Sequence, residues 1–170
     1  MRQLKNTYNI IINGQCYSGK DTFIEYCSQY VPCNNISTVD TLRFIANQVF
    51  YYDHDVRNVD KCKEYRNFLH QLKKMIKKYN PNYFKYCVND RLRKNNLNFI
   101  HCREEKEFKD YGKCIKVLVV NPNSNQGDSE LSDIDKSYNF NDLMYDHIIL
   151  NDGTLEQLKE KANIFTNMFT

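Results

Sequence analysis

The sequence predicts an α/β fold, with a parallel sheet of about five strands and helices on both faces. Three observations predict it. Short β-branched or apolar runs alternate with longer stretches whose apolar residues recur at helical spacing, the pattern of strand–helix–strand units with right-handed crossovers. A G-x-x-x-x-G-K run, Gly14 to Lys20, lies between the first strand pattern and the first helix pattern. The chain has 170 residues and is 41% hydrophobic, enough for one compact domain to bury a core.

Each element has its own signature. Residues 8–13, "YNIIIN", are short, β-branched and closed by Gly14, a buried strand. Residues 20–30 read as a helix with Phe23, Ile24 and Cys27 on one face. "NNISTVD", 34–40, reads as a second strand ending at Asp40, and 41–50 as a helix carrying Leu42, Ile45, Ala46 and Val49. The polar stretch 51–59 is expected to be irregular. A long helix is predicted over 60–79, with Tyr65, Leu69, Leu72 and Ile76 in register, broken by Asn80-Pro81. Another helix is expected over about 82–94. "LNFIHC", 97–102, is the third strand, and 104–111 a short charged helix stopped by Gly112. "CIKVLVV", 114–120, is the fourth strand, and "DHIIL", 146–150, the fifth. The last helix starts after Thr154, a suitable N-cap. Between the last two strands, residues 121–142 are polar and without apolar period. A structureless stretch of that length in a compact domain is either a functional lid or a surface loop.

Composition excludes several classes. The net charge of +3 is too mild to argue for nucleic acid as a partner. The Lys73, Lys74, Lys77 and Lys78 cluster reads as a solvated helix face, with the wall of an anion-binding cleft as the alternative. Seven cysteines without a C-x-x-C pair support neither a disulfide framework nor a zinc site, and suit a cytoplasmic location. No signal peptide or run of ~20 apolar residues is visible, so no membrane association is expected. His101-Cys102 reads as ordinary strand filling.

The Gly14–Lys20 run carries the chemistry. With five glycines in the chain, a chance match to the pattern is expected in on the order of one or two per hundred such sequences. A loop of this kind turns backbone N–H groups onto phosphate oxygens, and the following helix adds its positive end. Lys20 brings a cation to the β and γ phosphates. The next position normally carries a hydroxyl for Mg²⁺. Here Asp21 occupies it and Thr22 follows, so either one is a candidate metal ligand.

"SGKDT", 18–22, resembles small P-loop kinases of the nucleoside-monophosphate kinase group, in particular phage deoxynucleoside monophosphate kinases and animal-type phosphomevalonate kinases. "FIHCREEKEF" (99–108) is similar to their third strand, which ends in arginine before an acidic helix. "YDHIILNDGTLEQL" (145–158) is similar to their last strand, Asn-Asp-Gly turn and final helix, and "KEYRNFLHQLKKMIKKYNPNYF" (63–84) to their acceptor-site helices. The resemblance implies a three-layer P-loop kinase fold in a single domain, 1–170, with an acceptor-site helical segment at about 41–95 and a lid at about 121–142. It implies that Gly14, Ser18, Gly19, Lys20, Asp21 and Thr22 hold ATP phosphates and Mg²⁺, and that Asn151, Asp152 and Gly153 lie beside the donor base. It implies that Asp40 faces the reaction centre with Lys20 and Arg103, and that Arg43 and Arg103 bind the acceptor phosphate; because the lid is acidic, Arg66 and Arg91 are the expected further cations on the acceptor side. Bland readings stand beside these: Asp40 as a helix cap, Arg103 paired with Glu107, and Asp152-Gly153 as a plain turn. Departures are Gln15, Cys16 and Tyr17 inside the loop, His101 in place of an aspartate, and a lid without Lys or Arg between Lys116 and Lys136.

The expected activity is phosphoryl transfer from ATP to a small phosphorylated acceptor, foremost a (deoxy)nucleoside monophosphate. A phosphomevalonate-type kinase and a non-catalytic nucleotide-binding relic are the alternatives, and either a monomer or a homodimer is compatible with the sequence.

Overall fold

A computed structural model describes residues 1–15, 17–50, 63–102, 105–123 and 144–170. The chain divides into two compact units, one of Met1–Ile36 with Leu92–Thr170, the other of Ser37–Arg91. The elements in order are β1 (Tyr8–Asn13), α1 (Lys20–Tyr30), β2 (Cys33–Ser37), α2 (Thr38–Phe50), α3 (Lys63–Tyr79), α4 (Tyr83–Asn89), β3 (Leu97–His101), a 3₁₀ helix (Glu105–Tyr111), β4 (Ile115–Val120), β5 (His147–Leu150) and α5 (Leu155–Asn167).

The five strands form one sheet in the order β2-β3-β1-β4-β5. β1 runs parallel to β3, with Ile12 beside His101, and parallel to β4, with Ile12 beside Val117; β4 runs parallel to β5. This is the predicted α/β class. From β1 the chain goes to β2 on one side of the sheet, and from β4 to β5 on the other. The two connections diverge at the β1/β4 boundary, and open α/β sheets bind ligands outside the carboxyl ends of strands at such a point.

Strand alternation divides the β1 side chains between two faces. Ile10 and Ile12 join Phe23, Ile24 and Cys27 of α1 and Leu158, Ala162 and Phe165 of α5. Phe165 sits at the centre of this layer, with ring centroids 5.5 Å from Phe23 and 5.2 Å from Phe169. Ile11 faces the other way, into a smaller cluster with Cys102 and Phe108 that Tyr145 covers. Each fully buried Ile or Phe contributes ~1.5–3 kcal/mol. At the sheet's other end Asn98 is buried and satisfied on both sides of its amide. Its oxygen accepts from Asn34 Nδ2 and Arg93 N, both at 2.9 Å, and its nitrogen donates to Asn9 Oδ1 and Arg93 O. This network ties β1, β3 and β2 in one register, because a one-residue slip would leave a buried amide unpaired.

The Ser37–Arg91 unit has its own core of Leu42 and Ala46 from α2, Tyr65, Leu69 and Leu72 from α3, and Phe84 from α4. Three predicted boundaries move by three residues or more. The second strand stops at Ser37, not Asp40, because the Ser37 hydroxyl accepts from Val39 N at 3.2 Å and starts the helix three residues early. The helix expected over 82–94 ends at Asn89, where Arg91 N turns to Val88 O, three residues back. The segment 51–59, residues 103 and 104, and most of the predicted lid lie outside the described residues. Among the described residues no helix is long and apolar enough to cross a membrane.

Candidate active site

The loop between β1 and α1 is built by backbone conformations that its sequence permits. Gly14 has φ +145° and Gly19 φ +93°, and Tyr17, at φ 62°, shares the left-handed region. A Cβ on Gly14 would strike the Val119 carbonyl of β4 and the Ser18 hydroxyl, and one on Gly19 would strike the Asn151 amide. Glycine at both ends therefore lets the loop lie against β4 and against the β5–α5 turn.

Lys20, the first residue of α1, folds back over the loop. Its Nζ donates to Gly14 O at 2.7 Å, to Gln15 O at 2.6 Å and to Ser18 Oγ at 3.4 Å. Ser18 is buried, and its N–H closes the turn onto Gln15 O. Asn13 enters from β1: its Oδ1 accepts from Gly14 N at 2.7 Å while its Nδ2 donates to the Tyr145 hydroxyl. The N-cap of α1 is Gly19, which has no side chain to satisfy the first-turn amides. At the other end of the scale α5 is closed by a full capping box, with Thr154 Oγ1 accepting from Gln157 N and Thr154 N donating to Gln157 Oε1. Of these two helices, α1 is the one whose N-terminus is left for an outside anion.

Asp21, in the first turn of α1, has a largely exposed carboxylate. Asn35 of β2 donates to its Oδ1 at 3.4 Å, and His101 Nε2, at the end of β3, lies 3.5 Å from the same oxygen. Strands β2 and β3 and the start of α1 thus gather Lys20, Asp21, Asn35 and His101 near the carboxyl edge of the sheet. On the opposite flank, Asn151 donates to Ser18 O at 3.0 Å, and Lys161 of α5 holds the following turn through Leu150 O and Asp152 Oδ1.

In the Ser37–Arg91 unit, Asp40 lies in the first turn of α2 rather than at a strand end, and its Oδ1 is 3.0 Å from Arg43 Nη1. The capping role at residue 41 goes instead to Ser37 at the start of the helix. Arg91 Nη1 reaches the Ser37 carbonyl at 3.5 Å, so two guanidinium groups meet the start of α2. Arg66 is on α3, and its side chain, like all of Arg103, lies outside the described residues.

Among the described residues, the Cys27, Cys33 and Cys114 thiols are poor nucleophiles. Burial raises Cys27 above the usual thiol range, and Cys33 to about 12, and Cys114 is also raised by burial. Cys102 is buried with its S–H 3.7 Å from Glu107 Oε2, which fits its reading as strand filling. The residues that sequence reasoning missed are Asn13, Asn35 and Lys161, together with the proximity of His101 to Asp21. The register of β1 on β3, which pairs His101 with Ile12 near the end of β1, makes that last contact, and no sequence signal marks it.

Sequence comparison finds no match among protein-family models or among curated proteins. Fold comparison does find solved structures. A dephospho-CoA kinase from Campylobacter jejuni matches with TM-score 0.56 at 13% identity, over 95% of this chain and 97% of that one. TT1252 from Thermus thermophilus matches with TM-score 0.55 at 16% identity, over 98% of this chain and all of that one. The architecture is that of the P-loop kinase fold, over essentially the whole chain.

Proposed function

We propose that this protein is a phosphotransferase that moves the γ-phosphoryl group of ATP to a small phosphorylated acceptor, foremost a nucleoside or deoxynucleoside monophosphate. One observation carries the reading: Lys20 is clamped over a loop with glycine at both ends, beside an uncapped helix N-terminus at the point where the sheet's connections diverge. That arrangement concentrates positive potential where a triphosphate can enter. Fold kinship with a dephospho-CoA kinase is compatible with it.

In this reading Gly14, Ser18, Gly19 and Lys20 receive the ATP phosphates. Asp21 and Thr22 supply oxygen donors of the kind a hard cation prefers, and fit Mg²⁺ beside those phosphates. Asp21 and Thr22 would hold that ion, which would supply neutralisation of phosphate charge. His101 and Asn35 orient the Asp21 carboxylate. Asn151, Asp152 and Gly153 form the donor-side turn. Arg43, Arg66, Arg91 and Arg103 neutralise the acceptor phosphate, with Asp40 aligning Arg43 through their ion pair. A phosphate nucleophile needs no strong base, so positioning and charge neutralisation do most of the catalytic work. The acceptor segment, about 41–95, and the lid, about 121–142, belong to one domain in this scheme.

One observation favours a second reading, a nucleotide-binding relic without turnover. The lid carries Asp128, Glu130, Asp133 and Asp135 but no Lys or Arg between Lys116 and Lys136. The phosphomevalonate-type kinase remains the enzymatic alternative. A thermal-shift screen separates the three. A monophosphate kinase is stabilised, dose-dependently, by ATP–Mg²⁺ and by one nucleoside monophosphate, and further by a bisubstrate analogue joining them. Stabilisation by phosphomevalonate moves the acceptor assignment. ATP stabilisation with no responsive acceptor and no ADP release selects the relic.

A further inference from the structure

We infer that Asn151 is a positioning residue for the phosphate loop: its side-chain amide locks the Ser18–Gly19 peptide in the orientation that phosphate binding requires. The inference rests on the phosphate-loop reading above and assigns Asn151 a role different from contact with the donor base. Asn151 Nδ2 donates to Ser18 O at 3.0 Å across 133 positions of sequence. In a planar trans peptide the C=O and the next N–H point in opposite directions. A Ser18 carbonyl held by Asn151 therefore turns the Gly19 N–H away from the β5–α5 turn. Rotating this peptide the other way would point a carbonyl at an incoming phosphate and withdraw a donor.

Two further observations converge on the contact. Gly19 has room for no side chain, because a Cβ would collide with Asn151 Nδ2. The approach is thus built from both sides, by a glycine in the loop and an amide in the turn. Asn151 is itself fixed, since its N–H donates to Val120 O at 2.5 Å, and Lys161 holds the carbonyl of Leu150 before it and the carboxylate of Asp152 after it. The Asn151 side chain is held with its amide nitrogen on the loop, and that N–H is not available to a base.

Calorimetry with two probes tests the assignment: ATP, which has a base, and inorganic tripolyphosphate, which has none, each with Mg²⁺. Asn151→Ala is expected to weaken both by the same factor, about tenfold, with the ligand-free melting temperature used to confirm that the variant is folded. Asn151→Leu, close in size but without a donor, is expected to match the alanine variant, and it decides the matter if the alanine variant does not fold. The Gly19 amide resonance should shift in both. A variant that loses ATP affinity but keeps tripolyphosphate affinity would mean that Asn151 reads the base, and the inference is then wrong. Retention of wild-type affinity by Asn151→Leu would reduce the residue to space filling and overturn it as well. Wild-type protein that binds neither probe fails at the phosphate loop itself, which separates that failure from this one.

Discussion

Gly19→Ala tests the loop's construction, and the structure sets its size. Gly19 has φ +93°, a conformation that costs an L-residue roughly 1–2 kcal/mol. The new Cβ would also meet Asn151 Nδ2, so the 3.0 Å bond from that nitrogen to Ser18 O must lengthen or break. Loss of a hydrogen bond of this kind costs ~0.5–1.5 kcal/mol. Together the penalty is about 1.5–3.5 kcal/mol. At roughly 2–4 °C per kcal/mol for a chain of this size, the melting temperature should fall by ~3–14 °C. Because the displaced peptide is in the proposed phosphate cradle, ATP affinity should fall further than the global destabilisation alone explains. Differential scanning calorimetry and ATP titration well below the lowered melting temperature give both numbers. A melting temperature within a degree of wild type, together with ATP affinity within twofold, would refute the close packing of loop and turn on which the site is built.

Other expectations follow from the same geometry. Asp21→Asn should raise the Mg²⁺ concentration needed for half-maximal ATP affinity more than Thr22→Ala does; the reverse order would make Thr22 the ligand and leave Asp21 as a favourable charge in the first helical turn. Arg43→Lys should raise the acceptor KM while leaving the ATP KM nearly fixed, since a planar two-donor grip is lost and charge is kept. Arg66→Ala or Arg91→Ala should lower kcat far more than deletion of residues 125–131, for which less than tenfold, or ~1.4 kcal/mol of barrier, is expected; an inactive lid deletion with normal arginine variants would reverse the assignment. Stability should fall as pH rises from about 9 towards 12. Cys27, Cys33, Cys114 and Tyr111 are all raised by burial, so the unfolded chain releases protons there before the folded one does. Stability that held steady to pH 11 in chemical denaturation would contradict that burial.

Local signals in the chain were enough for the sheet and for the loop. Ile10-Ile11-Ile12 ahead of Gly14 marks a buried strand entering a turn, and Thr154 marks the start of the last helix, because both depend on neighbours a few residues away. The second strand was read too long because Thr38 and Val39 are β-branched and suit a strand; the Ser37 hydroxyl, by capping the helix, overrides that preference. The reading of α4 runs too long because Asp90-Arg91-Leu92-Arg93-Lys94 contains no Gly or Pro to stop it. The contacts that assemble the candidate site are of another kind. His101 meets Asp21 only through the register of β3 on β1, and Asn151 meets Ser18 only because β4 and β5 bring the last turn beside the first loop. No pattern of spacing within the sequence encodes either one.

The central claim is that Lys20 and the loop beneath it bind the phosphates of ATP, and isothermal titration of ATP–Mg²⁺ into wild type and Lys20→Met measures it directly. The methionine keeps most of the apolar stem and removes the cation that now bonds Gly14 O and Gln15 O. A charge-assisted contact to phosphate is worth ~1.5–3 kcal/mol, so wild type should bind and the folded variant should bind at least tenfold more weakly. Equal ATP affinity in the two proteins would contradict the account.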